Sequence, residues 1–185
     1  VLGPSGCGKS TLLECLAGYV SPTAGSVRVN GEPVTDPDPS RGVVFQENRL
    51  FPWKTVRENV AFGPKVRNSP AKAVPDLLDR MGLSSFADNY PGELSGGMAQ
   101  RAELARLLAN QPDLMLMDEP FSGLDNRLRD GIRDETLDIL REQDTAVLLV
   151  THEPEEAMRM ADEIALMRAG RIVQQGAPYN IYNAP

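Results

Sequence analysis

The chain has 185 residues, of which 41% are hydrophobic and 24% charged, an ordinary composition for one folded domain. Its net charge of −7 argues against nucleic acid as the main partner, because a phosphate backbone is bound by a basic face. No apolar run approaches the roughly 20 residues that cross a bilayer. The two cysteines, Cys7 and Cys15, are expected to be reduced thiols.

Short apolar segments alternate with helical patterns along the chain, which predicts an α/β fold with a mainly parallel sheet. Residues 1–2 are expected to be the tail of a strand. Further strands are predicted at 27–29, 42–45, 114–117 and 146–150, and a hairpin at 163–167 and 171–174 around Ala169-Gly170. Helices are predicted at 10–19, 99–109, 127–141 and 155–161. The last three single strands are near-continuous apolar runs, as in strands buried on both faces.

Residues 48–111 differ from the rest because they contain helical patterns and many prolines but no convincing strand. Their first helix is predicted to begin with a capping box at Thr55 and Glu58 and to stop at Gly63-Pro64. A later helix is predicted to begin near Pro75. We therefore expect one domain, truncated at both ends, with a core of residues 1–47 and 112–185 and an inserted helical lobe of residues 48–111.

A glycine-rich segment near the N-terminus fits the phosphate-binding loop pattern G-x-x-x-x-G-K-[ST]. Glycines let the backbone turn its N–H groups toward an anion, and the following helix directs its positive end to the same place. Lys9 would reach the β- and γ-phosphates, and the Ser10 hydroxyl would bind Mg²⁺. The predicted nucleotide-binding residues are Gly3, Pro4, Ser5, Gly6, Cys7, Gly8, Lys9, Ser10 and Thr11. The pattern alone leaves kinases and GTPases open.

Polar residues follow the predicted strands, at the sheet edge where open parallel sheets bind their ligands. Gln46 follows one strand, Asp118 and Glu119 follow the next, and His152, the only histidine in the chain, follows a third. Asp118 suits a Mg²⁺ partner, directly or through water. Glu119 is placed to polarise a water for in-line attack on the γ-phosphorus. The His152 imidazole could hydrogen-bond the γ-phosphate.

Residues 94–101, LSGGMAQR, resemble the ABC signature motif, which is usually LSGGQ followed by Q-x-R. Residues 118–125, DEPFSGLD, resemble the Walker B and D-loop elements of the same family, and Gln46 and His152 match its Q-loop and H-loop. The chain is thus similar, over essentially its whole length, to ABC transporter ATPases. Met98 stands where Gln is common, as in some importers of nitrate, sulfonate and taurine.

This resemblance implies a P-loop NTPase core whose nucleotide is ATP, with Mg²⁺ held by Ser10, Gln46 and Asp118. It implies that Glu119 and His152 are catalytic and that Asp125 belongs to the D-loop. It also implies a head-to-tail homodimer around two ATP molecules. In that dimer Ser95, Gly96 and Gly97 would contact the γ-phosphate bound by the partner. The Ser and two glycines opening a helix are a second anion-seeking helix terminus.

The segment from Leu50 to Val60 resembles importer ATPases, and no membrane domain lies within the chain. The resemblance therefore implies a peripheral subunit on the cytoplasmic face of the cell membrane. Its partners would be a transmembrane permease and, indirectly, a solute-binding protein, but no nucleic acid. Leu50, Phe51 and Trp53 are predicted to form part of the permease-docking surface, or else to pack the lobe onto the sheet. The alternatives are a non-transport ABC ATPase of DNA repair or translation, and an ATP-gated clamp without turnover.

Overall fold

The computed structural model describes residues 1–45, 49–69, 71–124 and 126–183, except for the side chains of residues 126, 127, 182 and 183. The elements in chain order are α1 (Lys9–Ala17), β1 (Arg28–Val29), β2 (Glu32–Pro33), β3 (Arg41–Val44), α2 (Val56–Val60), α3 (Phe62–Val66), α4 (Val74–Arg80), α5 (Gly96–Leu108), β4 (Leu114–Asp118), α6 (Asn126–Glu142), β5 (Ala146–Val150), α7 (Pro154–Met160), β6 (Ile164–Arg168), β7 (Arg171–Gly176) and α8 (Pro178–Asn183). Short 3₁₀ turns lie at Ala71–Ala73, Ser84–Phe86 and Pro91–Glu93.

A parallel sheet in the order β3–β4–β5 forms the centre of the fold. Its middle strand, β4, is buried on both faces, as the near-continuous apolar run predicts. Met115 and Met117 point into the larger hydrophobic cluster, which they share with the helices of residues 49–111. Leu116 points the other way, into a cluster with Leu13 of α1. The sheet is therefore covered by helices on both sides, the arrangement of an α/β fold.

Leu2 joins the central sheet to the C-terminal hairpin. It bridges in parallel to Thr151, directly after β5, and to Leu166 of β6. The predicted hairpin is confirmed, because β6 and β7 pair antiparallel and their turn has positive φ at both Ala169 and Gly170. One expectation for β5 is wrong: its first half is not buried. Ala146 and Val147 are exposed and line a cavity of about 580 Å³ that Ile164 and Ala165 of β6 also line.

The described residues between 49 and 111 are helices, turns and loops without a strand. The capping box is confirmed: the Glu58 N–H donates to Thr55 Oγ1 at 3.2 Å, and the Thr55 N–H donates to Glu58 Oε2 at 3.0 Å. This helix ends at Val60, however, and Gly63-Pro64 does not stop it but lies inside the next helix, α3. Pro64 is tolerated there because the first turn of a helix needs no N–H donor.

Gly63 has a packing reason to be glycine. A Cβ atom at this position would lie 1.6 Å from Oδ1 of Asn110, so any side chain would displace that residue. Pro75 lies in the first turn of α4, which agrees with the predicted proline start. Helix α5 begins three residues earlier than predicted, at Gly96, because Ser95 caps it.

The helices of residues 49–111 and the sheet share one hydrophobic core. Val60, Leu78 and Leu104 belong to the same buried cluster as Met117 and Leu149 of the sheet. The division into a core of residues 1–47 and 112–185 and a lobe of residues 48–111 therefore stays a prediction. None of the helices formed by the described residues combines the length and apolar character needed to span a membrane.

Candidate functional site

The glycine-rich loop lies between Leu2 in the sheet and the first turn of α1. Gly8, at φ 103°, turns the chain into the helix, a backbone conformation that L side chains rarely adopt. The loop is fixed from the other side by the β6–β7 turn, because the Gly170 N–H donates to the carbonyl oxygen of Cys7 at 2.9 Å. The sequence thus places a loop with glycine backbone freedom directly before the positive end of a nine-residue helix.

Lys9 holds its ammonium group against this loop. Its Nζ donates to the carbonyl oxygens of Gly3 at 2.8 Å and Pro4 at 3.0 Å, and the residue is only 6% exposed. Ser10 and Thr11, the next two residues, are exposed on the first turn of α1. The loop therefore offers an anion one buried lysine and two accessible hydroxyls.

The residues that follow β4 and β5 come together as the sequence predicts. Nδ1 of His152 lies 2.8 Å from Oε1 of Glu119, across 33 residues of sequence. Parallel pairing of Asp118 with Val150 holds the two strand ends side by side. The same edge carries the start of the glycine-rich loop, because the Gly3 N–H donates to the carbonyl oxygen of Thr151 at 3.4 Å. Loop, carboxylates and imidazole thus share one edge of the sheet.

Glu119 has an unusual backbone. Its φ is +48°, a left-handed conformation whose energy for a non-glycine residue is roughly 1–3 kcal/mol above the ordinary regions. Hydrogen bonds hold it there: its N–H donates to Val150 O at 2.9 Å, and its carbonyl accepts from Ser122 Oγ at 2.9 Å. The side chain is only 15% exposed, whereas that of His152 is 49% exposed. The carboxylate is therefore half-enclosed, and the imidazole lies at the site's open side.

Ser95, Gly96 and Gly97 lie at the N-terminus of the 13-residue helix α5. Ser95 Oγ accepts a hydrogen bond from the Met98 N–H at 3.3 Å, a side-chain N-cap. Arg101 fixes this turn to the end of α4, because it donates to Gly97 O at 3.3 Å and to Met81 O at 2.7 Å. Burial lowers the pKa of this guanidinium below its usual range. The helix presents its positive end beside Leu124, near Gly97, rather than at the glycine-rich loop.

Two predicted site residues, Gln46 and Asp125, lie outside the described residues. Of the predicted Mg²⁺ ligands, Ser10 is accessible on α1 and Asp118 lies half-buried at the end of β4, which packs against α1. A hydroxyl and a carboxylate oxygen are hard donors, the chemistry that Mg²⁺ prefers. The described part of the predicted donor set therefore fits this ion.

Sequence reasoning did not single out a further pair beside His152. Arg129, in the first turns of α6, donates through Nη1 to both carboxylate oxygens of Glu153 at 3.1 Å. Its Nη2 donates to Leu124 O at 3.2 Å. Ion pairs 24 residues apart leave no periodic pattern in a sequence. The available signal was position, because Glu153 directly follows His152.

Only part of the predicted docking surface at residues 50–53 is exposed. Leu50 is 8% exposed and belongs to the core, whereas Trp53 is 70% exposed. Phe51 lies between them and packs edge-on against Phe62, with ring centroids 4.7 Å apart. Asn59, fully buried, holds the loop: Phe51 N–H donates to its Oδ1 at 2.8 Å, and its Nδ2 donates to three carbonyl oxygens of residues 51–55.

A parallel sheet with a glycine-rich loop opening the helix at its edge defines a P-loop NTPase fold, as predicted. A family model described as ABC transporter matches residues 1–122. The chain belongs to the ABC transporter family, which confirms the resemblance seen in its motifs.

Relatives and solved structures agree with this assignment. The taurine import ATP-binding protein TauB of Roseobacter denitrificans is 48% identical over 178 residues, covering 93% of this chain and 66% of that protein. The sulfate/thiosulfate import ATP-binding protein CysA 2 of Chromobacterium violaceum is 46% identical over 191 residues, covering 100% of this chain and 52% of that protein. A dimeric ATP-binding cassette in a post-hydrolysis state, bound to ADP and Pi, matches with a TM-score of 0.83 and 30% identity, covering 96% of this chain and 83% of that one. The chain spans between about half and two thirds of the length of these curated relatives.

Proposed function

We propose that this chain binds ATP with Mg²⁺ and hydrolyses it, and that it does so as the ATPase subunit of a membrane importer. The observation that carries the proposal is the 2.8 Å contact between His152 and Glu119 at the sheet edge that also holds the glycine-rich loop. A carboxylate and an imidazole in contact beside an anion-binding loop suit the hydrolysis of a phosphate anhydride.

The glycine-rich loop and α1 would bind the triphosphate. Loop N–H groups and the positive end of α1 surround the phosphate oxygens, and the Lys9 ammonium neutralises charge on the β- and γ-phosphates. Ser10, Asp118 and Gln46 would hold Mg²⁺, which, when bound, neutralises the charge that builds up on the phosphate oxygens. Lys9 is nearly buried, so its attraction for phosphate is weakly screened by solvent.

Hydrolysis would use Glu119 and His152 in separate roles. The Glu119 carboxylate accepts a proton from a water, whose oxygen forms a bond to the γ-phosphorus while the bond to the β–γ bridging oxygen breaks, giving ADP and phosphate. The His152 ring contacts Glu119 through Nδ1; protonated on both nitrogens, it would donate Nδ1–H to the carboxylate and Nε2–H to a γ-phosphate oxygen. The fixed left-handed backbone of Glu119 aims the carboxylate before substrate arrives.

A second copy of the chain would complete each site. The capped N-terminus of α5, with Ser95, Gly96 and Gly97, is a phosphate-seeking helix end that lies beside Leu124 rather than beside the chain's own loop. In a head-to-tail dimer it would contact the γ-phosphate on the partner. The dimeric form of the matched ATP-binding cassette supports this arrangement.

Import through a permease is supported by the relatives, two of which are named import ATP-binding proteins. These names favour the importer over ATPases of DNA repair or translation, and the Glu119–His152 pair favours turnover over a non-hydrolysing clamp. The subunit would lie at the cytoplasmic face of the membrane and meet the solute-binding protein only indirectly. Trp53, at 70% exposure, would contact the permease. The transported solute is chosen by the other subunits.

Replacing Glu119 with Gln tests the hydrolysis step. Glu119→Gln keeps size and shape but removes the proton acceptor, so we expect ATP binding to persist and turnover to fall by about 10²–10⁴-fold. Because hydrolysis separates the protomers, the variant should elute as a dimer on size exclusion in Mg-ATP. Glu32→Gln, which neutralises an exposed carboxylate on β2, is the matched control and should hydrolyse normally. Normal turnover in Glu119→Gln would show that another group is the base.

A further inference from the structure

A second link joins the two segments that carry the proposed hydrolytic residues. The first segment runs from Glu119 to Leu124, and the second contains His152 and Glu153. They meet once at the contact between Glu119 and His152, 2.8 Å long. They meet again through Arg129, whose guanidinium binds the Leu124 carbonyl at 3.2 Å and both oxygens of Glu153 at 3.1 Å. The contacts form a closed ring.

The Arg129 contact is well suited to fix geometry. A guanidinium offers its donors in a planar fork, so binding a carboxylate and a carbonyl together defines both distance and direction. Its side chain is 20% exposed and that of Glu153 is 34% exposed, so solvent competes only in part. The pair therefore holds Glu153 at a set position relative to Leu124.

The position of Glu153 constrains that of its neighbour His152. Its backbone N–H donates to Thr151 Oγ1 at 3.0 Å, so the three residues 151–153 form a tight turn around the imidazole. Thr151 is 1% exposed and continues the pairing of β5 into the turn. This bond ties the backbone of Glu153 to the backbone that carries the imidazole.

We infer that Arg129 is a positioning residue for hydrolysis, which sets the distance between the His152 ring and the Glu119 carboxylate through its bonds to Glu153 and Leu124. The inference rests on the proposed function, because it assigns the ring and the carboxylate their chemical roles. Leu124 is followed by Asp125 of the D-loop motif, so Arg129 also links that motif to His152.

A plain helix-to-helix ion pair is the competing explanation, and the chain offers a matched example of one. Arg159 of α7 pairs with Asp134 of α6 at 2.6 Å and with Asp130 at 3.1 Å. It links α6 to α7, whereas Arg129 links α6 to Glu153, the N-cap residue of α7, and the ion pairs of Arg159 go to α6 alone. If Arg129 only fastens α6 to α7, removing either arginine should have the same effect.

Steady-state kinetics of the purified protein separate the two explanations. We expect Arg129→Gln to lower kcat for ATP by about tenfold or more, with KM changed less than about twofold, because a small misplacement of reacting groups affects the chemical step rather than binding. Arg159→Gln should leave kcat unchanged. Equal kcat values in the two variants would overturn the inference.

A double-mutant cycle tests whether the effect passes through His152. In a His152→Ala background, Arg129→Gln should lower kcat less than about twofold further, since the positioned ring is already gone. A full additional tenfold loss would show that Arg129 acts by another route. A wild-type rate in His152→Ala would overturn the assigned role of His152, and this inference with it.

The NMR signals of the His152 ring supply a readout that does not depend on turnover. They are assigned by their disappearance in His152→Ala. We expect Arg129→Gln to shift these ring signals in nucleotide-free protein, and Arg159→Gln to leave them in place. A shift in a protein that hydrolyses no ATP would support the positioning link while refuting the proposed function. Unshifted signals in Arg129→Gln would overturn the positioning link alone.

Discussion

The Lys9 ammonium lies 2.8 Å from the carbonyl oxygen of Gly3, so the lysine is tied to the loop whose anion it is proposed to neutralise. Replacing it with alanine removes the buried cation while the backbone donors remain. We expect Lys9→Ala to weaken ATP binding by about 100-fold or more, since hydrogen bonds to charged groups contribute roughly 1.5–3 kcal/mol each. Equilibrium titration with a fluorescent ATP analogue measures this. Lys65→Ala, which removes an exposed lysine on α3, should bind normally.

Unchanged affinity in Lys9→Ala would refute the proposed role of the loop. Lys9 also donates hydrogen bonds to Gly3 and Pro4, so the variant could lose ATP binding by unfolding. A melting-temperature measurement distinguishes unfolding from loss of the cation. Lost binding in a folded variant is the expected result.

Substitution of Trp53 distinguishes a docking role from a packing role, because this residue is 70% exposed whereas Leu50, in the same segment, is buried. We expect Trp53→Gln to keep its melting temperature and basal ATPase rate but to lose co-purification with the permease and stimulation by transport. An exposed ring contributes little to the core, whereas large aromatic residues dominate partner interfaces. Val66, which is 66% exposed on α3, provides the matched control. The variant Val66→Gln should still co-purify with the permease. A sharp fall in melting temperature for Trp53→Gln would instead assign the ring to the core.

Asn59 is expected to determine the shape of the loop that carries Trp53. Asn59→Ala removes four hydrogen bonds at a fully buried site and leaves Phe51 N–H without its acceptor. We expect a loss of about 2–4 kcal/mol in the free energy of unfolding, since buried backbone groups left unpaired carry their full desolvation penalty. Urea unfolding measures it, and Asn180→Ala, at an exposed position on α8, should change little. A change below about 0.5 kcal/mol would show that water replaces the amide.

Glu103 predicts a pH dependence of stability. It is 1% exposed on α5, and burial raises the pKa of its carboxyl above the ordinary 4.5, against the opposing effect of Arg106. The folded protein therefore binds this proton more tightly than the unfolded chain does. The Glu103 contribution to stability is complete below about pH 4.5 and is lost as the pH rises through the folded pKa.

Glu103→Gln removes this dependence, so the stability of the variant relative to wild type should rise as the pH increases above about 4.5. Urea unfolding from about pH 4 to about pH 7 measures the difference. The stability of Glu142→Gln relative to wild type should instead fall as the pH rises, because a hydrogen bond from Arg80 lowers the pKa of Glu142. Its stabilising contribution is present above about pH 4.5 and is lost below it. A flat difference for Glu103→Gln would contradict the burial effect.

Local patterns predicted most elements of this fold. The apolar run before Asp118 became a strand buried on both faces, and the Thr55–Glu58 capping box formed as predicted, because both depend on neighbouring residues. Helix α3 was missed, since its Gly63-Pro64 pair resembles a helix stop in sequence. Only the contact of Gly63 with Asn110, 47 residues away, shows why glycine is needed there.

The sequence likewise predicted one part of the site and missed another. The approach of Glu119 to His152 followed from the rule that strand ends share one edge of a parallel sheet. The bonds of Arg129 to Glu153 and Leu124 had no such rule behind them. They depend on how α6 packs beside the turn after β5, which is a tertiary property.

The left-handed backbone of Glu119 also separates stability from activity at this position. A glycine there would adopt φ +48° without penalty, whereas glutamate is held in it by its neighbours. Among substitutions that remove the carboxylate, glycine therefore relieves the backbone strain at this position, whereas a β-branched residue increases it. The carboxylate therefore stands at this position at a cost of roughly 1–3 kcal/mol in backbone energy.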